Sequence, residues 1–144
     1  MKSSESITTI APAIVKMQTE LKHAVKDSTN PFFNSKYADL AAVWEADHEA
    51  LAKNGLAIIQ THIPAQPGCI GLETILMHTS GEWISGEAYA ALEKAGPQVY
   101  GSATTYLRRY GRQAITGVVS EDDDGEAATI HAMPAPTERK SRYN

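Results

Sequence analysis

The sequence predicts an α+β domain in which helices pack on one face of a small antiparallel sheet. Three observations support this prediction: apolar residues recur at helical spacing before residue 54, strand-forming residues follow in three short runs, and helical spacing returns near residue 98. The 144 residues suffice for one such domain with its own core. We predict a disordered N-terminus over residues 1–9, the domain over 10–120, and an acidic stretch with a disordered tail over 121–144.

Two N-terminal helices come first in this prediction. Apolar residues at helical spacing predict a helix over about residues 12–25. A second helix is predicted over about residues 37–53, because Asn54-Gly55 is a typical C-terminal stop signal. The polar segment between them, residues 26–36, predicts a loop. The apolar face of the second helix is expected to comprise Tyr37, Leu40, Trp44, His48 and Leu51.

Three strands follow the two helices, at residues 56–63, 70–77 and 82–89. Short turns that contain glycine or proline separate them, which favours a three-stranded antiparallel meander. A third, long helix is predicted over about residues 98–117. The predicted order is therefore helix, helix, three strands, helix and tail.

The third helix separates two kinds of residue on a helical wheel. The apolar side is expected to face the sheet, and it comprises Val99, Ala103, Tyr106, Leu107, Tyr110 and Ala114. Tyr106 and Tyr110 are thus predicted to be core residues rather than platforms on which bases stack. The opposite side has no carboxylate and comprises Gly101, Thr105, Arg108, Arg109 and Arg112.

The arginines of this helix suit an anionic partner. Guanidinium is always charged, and it donates hydrogen bonds in a fork that matches phosphate oxygens. The small Gly101 and Thr105 on the same side would let a phosphate backbone approach closely. The alternative is a solvated face whose arginines pair with acids elsewhere in the fold.

The net charge of −4 does not by itself exclude a polyanionic partner. Residues 1–120 carry ten Lys and Arg against eleven Asp and Glu, whereas residues 121–126 add five acids. A nearly neutral domain binds a polyanion if its positive charges cluster. The acidic stretch at residues 121–125 either chelates Mg²⁺ or is a solvated segment that ends the third helix and repels misplaced nucleic acid.

Several kinds of chemistry lack their sequence signatures. The single Cys69 cannot form an internal disulfide, and the five histidines show no spacing typical of a zinc site. Neither a phosphate-binding loop for ATP nor a G-x-S-x-G nucleophile elbow occurs. The N-terminus lacks the apolar core of a signal peptide, and no apolar run approaches about 20 residues. These observations predict a cytoplasmic protein that has no cofactor, metal site or catalytic residue and does not associate with a membrane.

Several long motifs resemble the signature of the ERF family of phage and prophage recombination proteins. The most specific is YGSATTYLRRY at residues 100–110, which is followed by Gly117 and by EDDDG at residues 121–125. The others, in the same order as in the family, are NPFFNSKYADL at residues 30–40, LAKNGLA at 51–57 and HTSGEW at 78–83. The resemblance covers about residues 10–125.

The resemblance implies a protein that anneals single-stranded DNA in recombination without ATP and is not an enzyme. The family is grouped with annealing proteins that share a β-β-β-α core and form rings or filaments, in which the strand follows a positive groove around the homo-oligomer. Arg108 and Arg109 would line this groove, and Lys36 and Tyr37 would be second contacts. Arg112 is added from the helical wheel. Further implied partners are a phage exonuclease or a host single-strand-binding protein.

Two other functions remain open from the sequence. The chain either coats single strands without annealing them, or is a metal-dependent nuclease that uses residues 122–124. The adjacent Phe32 and Phe33 also have two interpretations. They either anchor their loop to the core or contact a partner subunit or DNA bases.

Overall fold

The computed structural model describes residues 1–30 and 35–121, with the backbone alone at residues 30, 35 and 36. The mixed α+β class predicted from the sequence is confirmed. In chain order, the elements are β1 (Lys2–Ser3), α1 (Ile10–Thr19), β2 (Ser28–Asn30), β3 (Ser35–Tyr37), α2 (Leu40–Lys53), β4 (Leu56–Ile63), β5 (Cys69–His78), β6 (Trp83–Ala91) and α3 (Pro97–Thr116).

The main sheet consists of antiparallel strands in the order β1-β6-β5-β4. β4 pairs with β5 from Leu56 opposite His78 to Ile63 opposite Gly71, and β6 pairs along the other edge of β5. These three consecutive strands form the predicted meander. Their bounds differ from the prediction by at most two residues, because glycine and proline mark the turns between them.

The N-terminal segment adds a fourth strand that the sequence analysis did not anticipate. Lys2 pairs opposite Ser85 and Ser3 opposite Ile84, and the Lys2 Nζ donates a hydrogen bond to Glu87 at 2.8 Å. The prediction that residues 1–9 are disordered is therefore wrong for β1. A two-residue strand pairs through backbone groups, which leave no periodic pattern in the sequence.

The predicted loop over residues 26–36 also contains regular structure. β2 and β3 pair as an antiparallel hairpin, with Ser28 opposite Tyr37 and Thr29 opposite Lys36. Residues 31–34, and with them the predicted roles of Phe32 and Phe33, lie outside the described residues.

Helix α1 ends at Thr19, six residues before the predicted end at Val25. The chain then runs extended, and the Ala24 amide donates a hydrogen bond to the Val119 carbonyl at 3.0 Å. The Glu121 amide in turn donates to the Ala24 carbonyl at 3.3 Å. Backbone pairing with the segment after α3 thus replaces the last predicted turns of the helix.

Helix α2 begins at Leu40 rather than Tyr37, because the Asp39 carboxylate accepts the Ala42 amide at 2.8 Å and caps the helix. The predicted apolar face does not coincide with the buried side of α2. Trp44 is 46% exposed, and its ring stacks on the His48 ring at 3.9 Å between centroids. The buried side of α2 instead carries smaller residues, which allow close packing, and it comprises Val43, Ala46, Asp47, Ala50 and Leu51.

The helices cover one face of the sheet. Ile10, Met17 and Leu51 from α1 and α2 form one core cluster with Leu56 and Leu76 from the strands. A second cluster lies under α3, where Leu107 packs with residues of β5. None of the helices in the described ranges is both long enough and apolar enough to cross a membrane.

Candidate nucleic-acid interface

Contacts with β4 and β5 fix the rotation of α3 about its own axis. Leu107 is buried, and Gly111 lies so close to the sheet that a Cβ there would be 2.5 Å from the Thr74 Oγ1. The Gln60 Nε2 donates hydrogen bonds to the Arg108 carbonyl at 2.9 Å and to the Thr74 hydroxyl at 3.0 Å. A residue without a side chain therefore permits close approach to the sheet, and this approach decides which residues of α3 face outward.

We name two sides of α3 according to their contacts. The inner side packs against the sheet or against α2, and it comprises Ala103, Leu107, Gly111 and Arg112. The outer side is wholly or partly open to solvent, and it comprises Gly101, Thr105, Tyr106, Arg108, Arg109 and Tyr110.

Arg108 and Arg109 lie on the outer side and form no salt bridge in the part of the chain that the structure describes. Arg108 is exposed. The Arg109 guanidinium carbon lies 4.7 Å from the ring centroid of Tyr110 and 5.0 Å from that of Tyr37. Its Nη1 donates a long hydrogen bond to the Ala38 carbonyl at 3.4 Å. Aromatic faces attract this cation but do not neutralise its charge.

Arg112 has a different environment from the one predicted. Its Nε and Nη2 donate to the two oxygens of Asp47 on α2, at 2.8 and 2.6 Å. The Asp47 side chain is fully buried, and only 12% of the Arg112 side chain is exposed. For Arg112, the structure agrees with the alternative interpretation, in which an arginine of α3 pairs with an acid elsewhere in the fold. One feature of the sequence indicates this contact: Asp47 lies among the apolar residues of α2, where an acid is buried only with a partner.

Burial raises the pKa of the Asp47 carboxyl, although the hydrogen bonds and charge of Arg112 oppose this rise. The geometry is that of a bidentate pair between α2 and α3. Arg112 is unsuited to a phosphate contact because Asp47 already accepts hydrogen bonds from its guanidinium and little of the side chain is exposed.

The prediction that Tyr106 and Tyr110 are core residues is also wrong. Tyr106 is 52% exposed and Tyr110 is 42% exposed, and their ring centroids lie 4.5 Å apart. The helical wheel predicts an inward position for both tyrosines because it groups all large apolar residues of α3 on one side. Close packing at Gly111 instead turns the tyrosines toward solvent, which their hydroxyl groups tolerate.

Gly101 and Thr105 lie on the outer side, as the wheel predicted. Space is open around the position that a Cβ of Gly101 would occupy. The Thr105 hydroxyl donates to the Gly101 carbonyl at 3.1 Å, so it satisfies a backbone acceptor of its own helix. Together they leave a low surface beside the arginines.

The β2–β3 hairpin brings Tyr37 to the outer side of α3. Asp39 lies two residues after Tyr37, and the pKa of its carboxyl is lowered. The main cause is a hydrogen bond from the Ser28 hydroxyl at 2.6 Å, and the Ala42 amide and the charge of Arg109 add to it. Lys36 belongs to the same strand, and its side chain lies outside what the structure describes. The structure thus brings Tyr37 and Arg109 together and turns Arg112 away from them.

A metal site requires several ligand side chains that lie close together. Within residues 1–30 and 35–121, no cluster of three or more His, Cys, Asp or Glu side chains is placed to hold a metal ion. The aspartates of the acidic stretch, residues 122–124, lie outside the described residues.

Comparison with known proteins gives one match. The model of a family described as the ERF superfamily matches residues 10–144, a span that starts with α1 and includes α2, the meander and α3. No curated protein and no solved structure matches the chain.

Proposed function

The chain belongs to the ERF superfamily, and from this premise we propose that it binds single-stranded DNA along the outer side of α3 and promotes the annealing of complementary strands. The observation that carries the proposal is the pair of outward guanidinium groups, Arg108 and Arg109, which form no salt bridge among the described residues. Lys36, Tyr37, Gly101 and Thr105 belong to the same proposed contact surface.

The chemistry of this surface suits a phosphate backbone. Two guanidinium groups bind phosphate oxygens and release condensed counterions, which favours binding at low salt. Gly101 and Thr105 add no bulk, so a strand can approach the helix. No covalent bond changes in this process, since base pairing itself drives annealing.

A single protomer offers few phosphate contacts, so we propose that the protein acts as a homo-oligomer. Repetition of α3 from one protomer to the next gives a continuous cationic surface, and the linked contacts together bind far more tightly than any one of them. A ring or a filament meets this requirement. Electron microscopy with and without an oligonucleotide tests it, and a strictly monomeric protein would contradict it.

The salt dependence of binding tests the proposed surface most directly. In Arg108→Ala plus Arg109→Ala, binding to single strands should weaken for all sequences, and the slope of log K against log salt should fall by about one to two units. Fluorescence anisotropy of a labelled oligonucleotide across a salt series measures both quantities. If the folded variant still assembles and the slope of log K against log salt is unchanged, the proposal is wrong.

Lys16→Ala provides a matched control for the single variant Arg108→Ala. Both substitutions remove one exposed positive charge, but Lys16 lies on α1. Only Arg108→Ala should lower the slope. An equal fall in both variants would mean that net charge, rather than α3, governs binding.

An annealing assay then separates two functions. Complementary oligonucleotides should pair faster with the protein than without it, and the arginine double variant should lose this acceleration. Tight binding without acceleration would identify a protein that coats single strands but does not anneal them.

A further inference from the structure

Tyrosine side chains occupy the outer side of α3 around Arg109. Tyr106 and Tyr110 are about half exposed, one helical turn apart, and they lie within 5.9 Å and 4.7 Å of the Arg109 guanidinium carbon. Tyr37 from β3 lies on another side of the same guanidinium, at 5.0 Å. Three aromatic rings thus surround one cation on this surface.

Packing of the fold does not account for this exposure. Leu107, Ala103 and Gly111 pack against the sheet, whereas the two tyrosine rings contact each other and Arg109, and Tyr110 borders a groove between α3 and β6. The rings are tilted by 55° to one another, so they do not cover each other face to face. A flat ligand can therefore reach an aromatic face.

We propose that Tyr106 and Tyr110 stack on nucleobases of the bound strand, while Arg108 and Arg109 contact its phosphates. The proposal rests on the proposed function, because it assumes that single-stranded DNA binds along this side of the helix. Stacking of this kind tolerates every base, since every base has a π-face. It also uses the face of the base and leaves the pairing edge open to a complementary strand.

A second protein copy is the less suitable occupant of this surface. In a two-fold contact each copy presents the same patch to the other, so the arginines of both copies would lie in one interface. No carboxylate on the outer side of α3 would compensate these charges. A polyanion with flat bases satisfies both the cations and the aromatic rings.

Two oligonucleotides of equal length test the proposal: oligothymidylate, and a strand with the same backbone that carries abasic nucleotides. Each labelled strand is titrated with the full chain, and fluorescence anisotropy gives the ratio of the two dissociation constants. The native protein should prefer the base-bearing strand by about fivefold or more. In Tyr106→Leu plus Tyr110→Leu this ratio should fall to near unity, while affinity for the abasic strand and its salt slope stay unchanged.

Two further variants make the test specific to stacking. Tyr106→Phe plus Tyr110→Phe keeps the ring faces and should keep the ratio. Tyr89→Leu removes a tyrosine that is 55% exposed on β6 and whose hydroxyl donates to Glu87, so it should also keep the ratio. Each single leucine variant should lose part of the ratio, so the test does not depend on the folding of the double variant.

Each contrary result has a distinct meaning. If the leucine variants still prefer the base-bearing strand as strongly as the native protein does, the proposal is overturned. If they also form smaller assemblies, the tyrosines are identified as a contact between protomers. Equal binding of both strands by the native protein, with a salt slope that depends on the arginines, overturns the stacking proposal alone. Failure to bind either strand overturns the proposed function as well.

Discussion

Arg109 and Arg112 lie three positions apart on α3, yet their guanidinium groups have opposite surroundings. On the inner side, two nitrogens of Arg112 donate hydrogen bonds to the fully buried Asp47, and only 12% of the Arg112 side chain is exposed. Arg109 lies among tyrosine rings on the outer side and forms no salt bridge in the described part of the chain. The comparison shows that neighbours contributed by other elements, rather than position in a basic motif, decide which arginine remains available to an external anion.

The largest effect should come from removal of the acid on the inner side. Asp47→Ala leaves the buried guanidinium of Arg112 without its partner, so the free energy of unfolding should fall by about 3–5 kcal/mol. Urea denaturation followed by circular dichroism measures this loss. Asp47→Leu plus Arg112→Met is the matched control, because it removes both charges and should recover most of the stability.

A loss of unfolding free energy below about 1 kcal/mol in Asp47→Ala would contradict the difference between Arg109 and Arg112, because removal of an exposed ion pair lowers stability by no more than about 1 kcal/mol. Arg112 would then be as open to solvent as Arg108.

Two glycines of α3 allow a second comparison of its inner and outer sides, with smaller expected changes in the free energy of unfolding. Gly111→Ala should destabilise the protein by about 1–3 kcal/mol, because its Cβ would approach the Thr74 hydroxyl at 2.5 Å. Gly101→Ala meets open space, so the better helix propensity of alanine should stabilise the protein by up to about 1 kcal/mol. Thermal unfolding of both variants measures the difference, and effects of the same sign would contradict the assigned rotation of α3.

The smallest effect concerns Asp39, a carboxylate on which the charge of Arg109 acts. Its pKa is lowered in the folded protein, chiefly by the Ser28 hydroxyl, whereas burial raises the pKa of Asp47. The ionised Asp39 therefore stabilises the fold above the pKa of the unfolded carboxyl, and this contribution is lost as the pH falls through the folded pKa.

Asp39→Asn keeps a good helix cap and removes only the charge. Its stability deficit should be no more than about 1 kcal/mol near neutral pH and should shrink as the pH falls from about 5 to about 3. Urea unfolding across this range measures it, and Ser28→Ala should follow the same course. A deficit that is constant with pH would show that the charge of Asp39 does not contribute.

The sequence predicted those features that depend on local pattern. Three strands, their turns and the extent of α3 follow from β-formers, glycine and proline, and helical spacing between neighbouring residues. The outward position of Arg108 and Arg109 also follows from spacing alone.

Features that depend on contacts between segments distant in the sequence could not be predicted from local pattern. Asp47 is 65 residues from Arg112 along the chain, and nothing in the α3 motif indicates it. Tyr106 and Tyr110 were assigned to the core by hydrophobicity, but the rotation of α3 is set by Gly111 against Thr74 of another element. The N-terminal strand β1 depends on an available edge of β6, which exists only in the folded sheet.

The backbone pairing at Ala24 defines how far a shortened form of this protein must extend. Its amide and its carbonyl bond to Val119 and Glu121, and the Glu121 carboxylate accepts the Lys26 amide at 3.2 Å. Truncation at the end of α3 would strip these partners from the residues that lead into the β2–β3 hairpin. The minimal autonomous folding unit therefore reaches at least residue 121, beyond the last turn of the final helix.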